Sequence, residues 1–393
     1  MDIVYALQKP PAVFSKSVFL VGPTPRKETG GESWRPAMLA ALEEAGYDGV
    51  VFIPEAKDGT WKHSYTDQIH WEQTHLNMCD RILAWVPRDL EKMPAFTTNV
   101  EFGQHVASGK LIYGRPVDAP KTRYLDELYF AHRMTDPCST LTELAATAVA
   151  EIGDGASRLD GQRYVPLDVW KSKQFQAWHD ELEHAGNRLD EATLLWSFRV
   201  GPKRSFLFSY ALHVKVWLWA EQRHKSNEYV FSRTDISAIV PYYYGLNGPE
   251  IILVKEYRAP GRTRDGFVHE LPGGSSFKTD RVPTQVAAEE MKEETGIEIE
   301  ASRFRLVNTR QIGATVSSHR SYVFAVELTE DEINHAKAMD RAGTRHGVIE
   351  DTEITYVEVR TLDEILTERL VDWSNVGMIM ETLHRRDNPS IAE

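Results

Sequence analysis

From Lys16 to about Leu128 the chain alternates short β-type runs with helical patterns, and that order narrows its architecture more than any other feature. SVFLVGP reads as a buried strand stopped by a Gly-Pro turn, WRPAMLAALEEAG as an amphipathic helix closed by Gly46, and DGVVFIPE as a second strand. IHWEQTHLNMCD follows as a helix, RILAWVP as a third strand, NVEFGQHVASG as a helix ending on Gly109, and KLIYGRP as a fourth strand. Strands separated by helices predict a parallel α/β sheet, because the helices serve as crossovers and cover its faces. Ligands of such sheets gather at the carboxyl ends of the strands. The loops after Val21, Pro54 and Val86 therefore share one rim.

TELAATAVAEIG reads as a closing helix, and the polar, glycine-rich GDGASRLDGQ behind it suggests a domain boundary. The expected division is 1–155 and 156–393, with a helix-and-strand extension at about 164–225 heading the second domain. A chain of 393 residues exceeds one ordinary core, which agrees with two domains. EIILVKEYR, FRLVNTRQI, RSYVFAVEL and EITYVEVR add strands to that second part, so an α+β fold with a mixed sheet is expected there. No apolar run is long enough for a membrane span, and MDIVYALQKPPAVF lacks a signal-peptide pattern. Cys79 and Cys138 are the only cysteines, so no disulfide framework is expected, and a cytoplasmic location follows. The net charge of −13 argues against nucleic acid as a partner. It leaves room for anionic small molecules held by a local cation, a helix N-terminus or a metal ion.

The segment ELPGGSSFKTDRVPTQVAAEEMKEETGIEI places Glu290, Glu293 and Glu294 at i, i+3 and i+4, on one helix face. A hard divalent cation takes clustered carboxylate oxygens of this kind, and can polarise a pyrophosphate oxygen and activate water. Left unneutralised, Glu289 with Glu293 and Glu290 with Glu294 would each destabilise the helix, so a purely solvated acidic face is the weaker reading. This segment resembles the Nudix box, G-x5-E-x7-R-E-U-x-E-E-x-G-U with U aliphatic. The resemblance implies a Nudix-fold domain that hydrolyses a nucleoside diphosphate derivative with Mg²⁺ or Mn²⁺. Its metal ligands would be Glu290, Glu293 and Glu294, with Glu294 also a catalytic group. The box arginine is Glu289 here and the earlier box glutamate falls on Arg281, with Asp280 matching only after a one-residue change in loop length. On this reading the usual ion pair within the box is missing. ILVKEYRAP and FVHELPGG resemble the ADP-sugar (ADP-ribose) pyrophosphatase branch, which implies that Arg258 and Glu270 lie near the nucleotide. Among the later acids Glu350, Asp351 and Glu353, the resemblance points to Glu353 as a further ligand or base.

FLVGPTPR, CDRILAWVPR and TTNVEFGQHVASGKLIYGRP resemble the nucleoside 2-deoxyribosyltransferase family over nearly the whole first domain. That family uses a glutamate at the start of a helix to attack the anomeric carbon, and Glu101 holds its place. Asp80, just before a strand, matches the acid that handles the base and its proton. Cleaving an N-glycosidic bond creates an oxocarbenium-like centre, so one carboxylate to capture it and one acid for the leaving base make chemical sense. A helix N-terminus is expected to keep Glu101 ionised. A second family aspartate is Ala95 here, and Thr97, Thr98 and Asn99 are candidates to contact the sugar instead. Gly22 in the first loop and Arg26 and Lys27 after it are candidate substrate contacts, the two cations for a 5′-phosphate.

Trp34, Trp61, Trp71 and Trp85 offer candidate stacking surfaces, with burial the commoner fate of such residues. His63, His70 and His75 do not share one face as a metal site would require, and Ser317, Ser318 and His319 lack a nucleophile elbow. Trp217 and Trp219 suit a core or dimer interface, and a homo-oligomer is expected. The joint expectation is a bifunctional enzyme of nucleotide metabolism, one site acting on an N-glycosidic bond and the other on a diphosphate. A nucleotide or ADP-ribose sensor with one or both sites inactive is the alternative.

Overall fold

The N-terminal residues Asp2–Tyr5 form a strand, β1, ahead of the alternating region, and Val13–Phe14 form a two-residue strand, β2. All four expected strands follow in this computed structural model, which describes residues 1–25, 32–57, 64–275, 281–347 and 353–388. They are β3 (Ser17–Val21), β4 (Val50–Ile53), β5 (Arg81–Trp85) and β6 (Leu111–Gly114). The helices between and after them are α1 (Arg35–Glu44), α2 (Tyr65–Met78), α3 (Phe96–His105), α4 (Arg123–Arg133) and α5 (Leu141–Ile152). The sheet runs β1-β4-β3-β5-β6, with every pairing parallel.

Each central strand is buried on both faces, as its unbroken apolar run requires. Phe19, Phe52, Ile82 and Tyr113 pack with Trp71 and Phe102 on one face. Val18, Leu20, Leu83 and Ile112 pack with Met38, Leu42 and Leu144 on the other. Burying each large apolar side chain contributes about 1.5–3 kcal/mol. From β3 the chain moves outward to β4 and then returns past β3 to β5. The loops after Val21 and Trp85 therefore diverge and leave a crevice at the carboxyl edge, where this sheet type binds ligands.

The polar stretch expected to be a linker is held by charge. Arg158, in the short strand β7 (Arg158–Leu159) paired with β2, is fully buried against Asp80. A turn of helix, α6 (Leu167–Trp170), then α7 (Lys173–His184) lead to three long strands, β8 (Arg188–Val200), β9 (Phe206–Leu218) and β10 (Arg223–Arg233), in the order β10-β9-β8. Val165, Phe175, Leu189, Tyr210, Leu212 and Val214 form their core. The chain divides into two compact units, Met1–Ser232 and Arg233–Glu393. The expected division at 155/156 thus falls inside the first unit, and residues 164–225 pack there instead of heading the second. Arg81 reaches both Glu151 and Asp168, Arg199 also pairs with Asp168, and Asn77 donates to the Ala192 carbonyl. Hydropathy does not register these polar anchors.

The second unit is a mixed sheet with helices. Its elements are β11 (Ile236–Gly245), β12 (Gly248–Tyr257), β13 (Phe267–Glu270), β14 (Gly273–Gly274), α8 (Pro283–Thr295), β15 (Arg305–Gln311) and β16 (Arg320–Glu327). They continue with α9 (Glu330–Ala342), β17 (Arg345–His346), β18 (Thr355–Thr361), α10 (Leu362–Thr367) and α11 (Trp373–Asp387). The order is β15-β16-β11-β12-β18-β17, with β13 on β12 and β14 on β11, and β11 pairs parallel to β16. Among the described residues no helix is long and apolar enough to cross a membrane.

Candidate functional site

The loop after β3 is pinned at Gly22. A Cβ there would lie 2.3 Å from the Trp85 carbonyl oxygen and 2.5 Å from the Trp34 ring, so packing against β5 demands glycine. Trp34 donates its indole N–H to the Pro23 carbonyl at 3.1 Å and precedes α1. Arg35, the first residue of α1, has only 2% of its side chain exposed. Its Nη2 donates to the Gly22 carbonyl at 2.8 Å, and its Nη1 donates to Thr24 Oγ1 at 3.1 Å and Glu55 Oε1 at 2.5 Å. The guanidinium thereby ties the loop after β3 to the loop after β4. Burial pulls its pKa down, while the charges of Glu55, Glu101 and Glu72 hold it up.

Glu101 projects from α3 with 9% exposure. Burial, then the charge of Glu72, push its pKa up to about 8, with Arg35 opposing them. Glu72, half-buried on α2, is itself raised by burial, offset by a hydrogen bond from Gln68 Nε2 at 2.7 Å and by Arg35. The Glu72 charge thus disfavours ionisation of Glu101, while the buried Arg35 guanidinium favours ionisation of both. The expected helix-dipole effect on Glu101 is not met. Glu101 is the sixth residue of α3, whose first turn holds no acid, and the dipole effect fades within that turn.

The assignment of Asp80 to the base must be corrected. Asp80 is fully buried; its Oδ1 accepts from Arg158 Nη2 at 2.6 Å, and its Oδ2 from the Ser17 N–H at 2.9 Å and Oγ at 3.1 Å. It precedes β5, at the amino edge of the sheet, opposite the rim that carries Glu101. The acid whose charge acts on Glu101 is Glu72 instead. The signal for it was present in the helix pattern, because Glu72 lies three and four residues before the buried His75 and Leu76, on an inward face.

Asn99 is exposed and accepts a hydrogen bond from Arg88 Nη2. Thr98 is buried and Thr97 exposed, while Ala95 caps α3 in the left-handed region, φ 61°, without a side-chain hydrogen bond. Arg26, Lys27, Trp61 and His63 lie outside the described residues. Trp34, Trp71 and Trp85 are buried and form no open stacking surface. His75 stacks on Trp71 at 4.2 Å and His70 is exposed, so the histidines build no metal site among the described residues.

Residues 15–118 match the family model described as nucleoside 2-deoxyribosyltransferase like. The first unit carries a nucleoside 2-deoxyribosyltransferase-like domain. The match runs from β3 past β6, so Gly22, Arg35, Glu55, Glu72 and Glu101 of this transferase-like domain all fall within it. No curated protein matches the sequence.

In the second unit Glu256, Glu294 and Glu353 bring one carboxylate oxygen each within 4.8 Å of one another. Glu294, on α8 and 3% exposed, accepts from the Gly273 N–H at 2.8 Å, and its pKa is raised well above the usual range, chiefly by burial. Glu290 is pushed up to about 7 by burial and by Glu293 and Glu353. Glu256 is also pushed up to about 7, by burial with Glu353 and Glu270 adding and Arg258 opposing. Gly273 and Gly274 form β14, and a Cβ on Gly274 would lie 2.5 Å from Glu290 Oε1. Arg258 and Glu270, both expected near a nucleotide, pair with each other at 2.7 Å. It also lies 2.8 Å from Glu256 Oε2, a buried oxygen that receives no hydrogen bond. Crowded, under-donated acids of this kind fit a hard divalent cation.

Of the three acids expected on α8, Glu294 joins this cluster, Glu290 feels it electrostatically, and Glu293 is exposed. Glu256 was missed because its strand reads as an apolar run. Arg281 and Glu289, the two positions that depart from the box pattern, meet each other, with Arg281 Nη1 2.8 Å from Glu289 Oε1. Asp280, Glu350 and Asp351 lie outside the described residues. Ser317 and His319 share a hydrogen bond, and burial pulls the His319 pKa down to about 4, with Arg233 adding. Trp217 is half-buried beside His224, and Trp219 is 63% exposed.

Proposed function

We propose that the transferase-like domain cleaves or exchanges the N-glycosidic bond of a nucleoside or nucleotide. The observation that carries this reading is the buried Glu101 carboxyl, subject to the opposing charges of Glu72 and Arg35, in the segment that matches the family model. Near neutral pH the resting proton sits on Glu101, whose pKa burial and the Glu72 charge push up to about 8, and the reactive form is the one in which that proton has passed to Glu72. With that proton on Glu72, ionised Glu101 bonds to the anomeric carbon as the C–N bond breaks. The electron pair goes to the base nitrogen, which takes the proton from Glu72. Water or an acceptor base then returns a proton to Glu72, attacks the same carbon and releases the Glu101 carboxylate. Arg35 steadies whichever carboxylate is charged. Nucleosides and nucleotides incubated with the full chain should release base, and Glu101→Ala should abolish that release. A 2-fluoro nucleoside should leave a sugar on Glu101, detectable by peptide mass spectrometry. Base release without any label would reduce Glu101 to an electrostatic stabiliser and favour direct water attack.

For the second unit we propose a Nudix-type hydrolysis of a nucleoside diphosphate derivative such as ADP-ribose. Support comes from the Glu256, Glu294 and Glu353 cluster and from the Arg281–Glu289 pair. Mg²⁺ or Mn²⁺ held by these acids would polarise the diphosphate and activate water. Arg258, fixed by Glu270, would orient the nucleotide. ADP-ribose should be hydrolysed with Mg²⁺ or Mn²⁺ and spared after chelation; saturable binding without turnover would support a sensor instead.

A further inference from the structure

A cavity of about 1160 Å³ opens in the first unit at the amino edge of the parallel sheet. Asn77, Gly109 and Lys110, which precede β5 and β6, form one side of it, and β8 forms the other. Glu72, Glu101 and Arg35 do not border it.

The pairing of β8 with β9 slips twice along the facing wall. An extra residue of β8, Leu195, lies between Leu194 and Trp196, and an extra residue of β9, Phe208, lies opposite the step from Phe198 to Arg199. β8 itself alternates from Trp196 to Arg199, so Trp196 and Phe198 share one face while Arg199 takes the other and bonds to Asp168. The Trp196 and Phe198 rings lie 6.2 Å apart and parallel to within 4°, and remain 49% and 48% exposed. They make a flat apolar shelf.

The cavity is electropositive in a chain whose net charge is −13. Arg81, Arg133 and Arg199 share only two carboxylates, Glu151 and Asp168. Lys110 donates to the Leu76 and Asn77 carbonyls rather than to an acid. Arg204, beyond the end of β8, adds a further cation on the cavity wall. The bordering acid Glu191 is paired with Lys215 at 2.7 Å. Both bordering histidines feel the excess: burial lowers His105 and His132, and Lys110 and Arg204 respectively lower them further.

We propose that this cavity is a second, non-catalytic site for a nucleoside phosphate, with its base on the Trp196–Phe198 shelf and its phosphate toward Arg204. The volume suits a ligand of that size, and a flat ring system with an attached anion matches both halves of the lining. The site does not depend on either proposed reaction.

Hydrogen–deuterium exchange on the full chain, with AMP as the probe, reads the site directly. AMP should slow exchange in residues 104–110 and 191–199, inorganic phosphate should compete, and adenosine should protect far less. Trp196→Ala should weaken this protection by about tenfold or more, the usual effect of losing a stacked base. Arg204→Ala, an exposed change that leaves the core intact, should weaken it in a salt-dependent way. Protection confined to the Glu101 or Glu294 peptides would overturn the proposal, as would equal protection by adenosine. A dimer by sedimentation that covers β8 and dissociates on Trp196→Ala would assign the surface to a second copy of the chain and also overturn it.

Discussion

Replacing Glu101 by glutamine should stabilise the first unit at alkaline pH and leave it almost unchanged in mild acid. The folded carboxyl keeps its proton up to about 8, whereas an ordinary glutamate releases it near 4.5. Between those values the folded state binds more protons than the unfolded state, so this group makes stability fall as pH rises. The penalty is absent below 4.5 and complete above about 8. At about 1.36 kcal/mol per pH unit it reaches on the order of 5 kcal/mol, a ceiling that water entry and side-chain movement reduce. Glutamine matches the neutral acid in shape and cannot ionise, so it escapes the penalty. For a unit of this size about 2–4 °C accompany each kcal/mol, which sets the expected gain at roughly 10 °C at pH 9. Thermal melts of the wild type and Glu101→Gln at pH 5 and pH 9, followed by first-unit tryptophan fluorescence, measure it. Glu72→Gln supplies the control: removing that neighbouring charge should shift the wild-type loss of stability to lower pH. If the wild type and Glu101→Gln melt with the same difference at both pH values, Glu101 is not a buried, raised acid and the shared-proton mechanism fails with it.

Asp80→Asn should cost about 3–5 kcal/mol, because it strands the buried Arg158 guanidinium, yet leave base release per folded molecule within a few-fold; lost activity at unchanged stability would return Asp80 to the chemistry. Arg281→Glu and Glu289→Arg should each lower second-unit turnover, and the double exchange should recover most of it, as rates with ADP-ribose would register. Recovery of nothing by the exchange would make the pair an incidental surface contact. Glu294→Gln should reduce metal-dependent hydrolysis by at least about 10²-fold and weaken Mn²⁺ binding in a paramagnetic resonance titration. Wild-type binding and rates in that variant would remove Glu294 from the site.

The parallel sheet was legible because each strand is an apolar run long enough to bury both faces, and each crossover helix carries its own stop, such as Gly46 and Gly109. Glu101 was legible for a different reason, since its motif resembles a family pattern that runs from a helix into the next strand. Asp80 misled because an acid before a strand looks the same in sequence whether it meets a ligand or an arginine. The partner that decides its role, Arg158, lies 78 positions away.

By itself the sequence determined the four alternating strands and their crossover helices, a parallel sheet, the carboxylate helix and most of the acids available for chemistry, because local periodicity and turn residues govern those. Only the tertiary structure decided which acids act on one another. It put the charge of Glu72 on Glu101, brought Glu256 to Glu294 and Glu353, paired Asp80 with Arg158 and drew residues 156–232 into the first unit. Each of these joins groups across long stretches of chain, and the electrostatic effect of a buried charge is set by distance and burial, which no local pattern encodes.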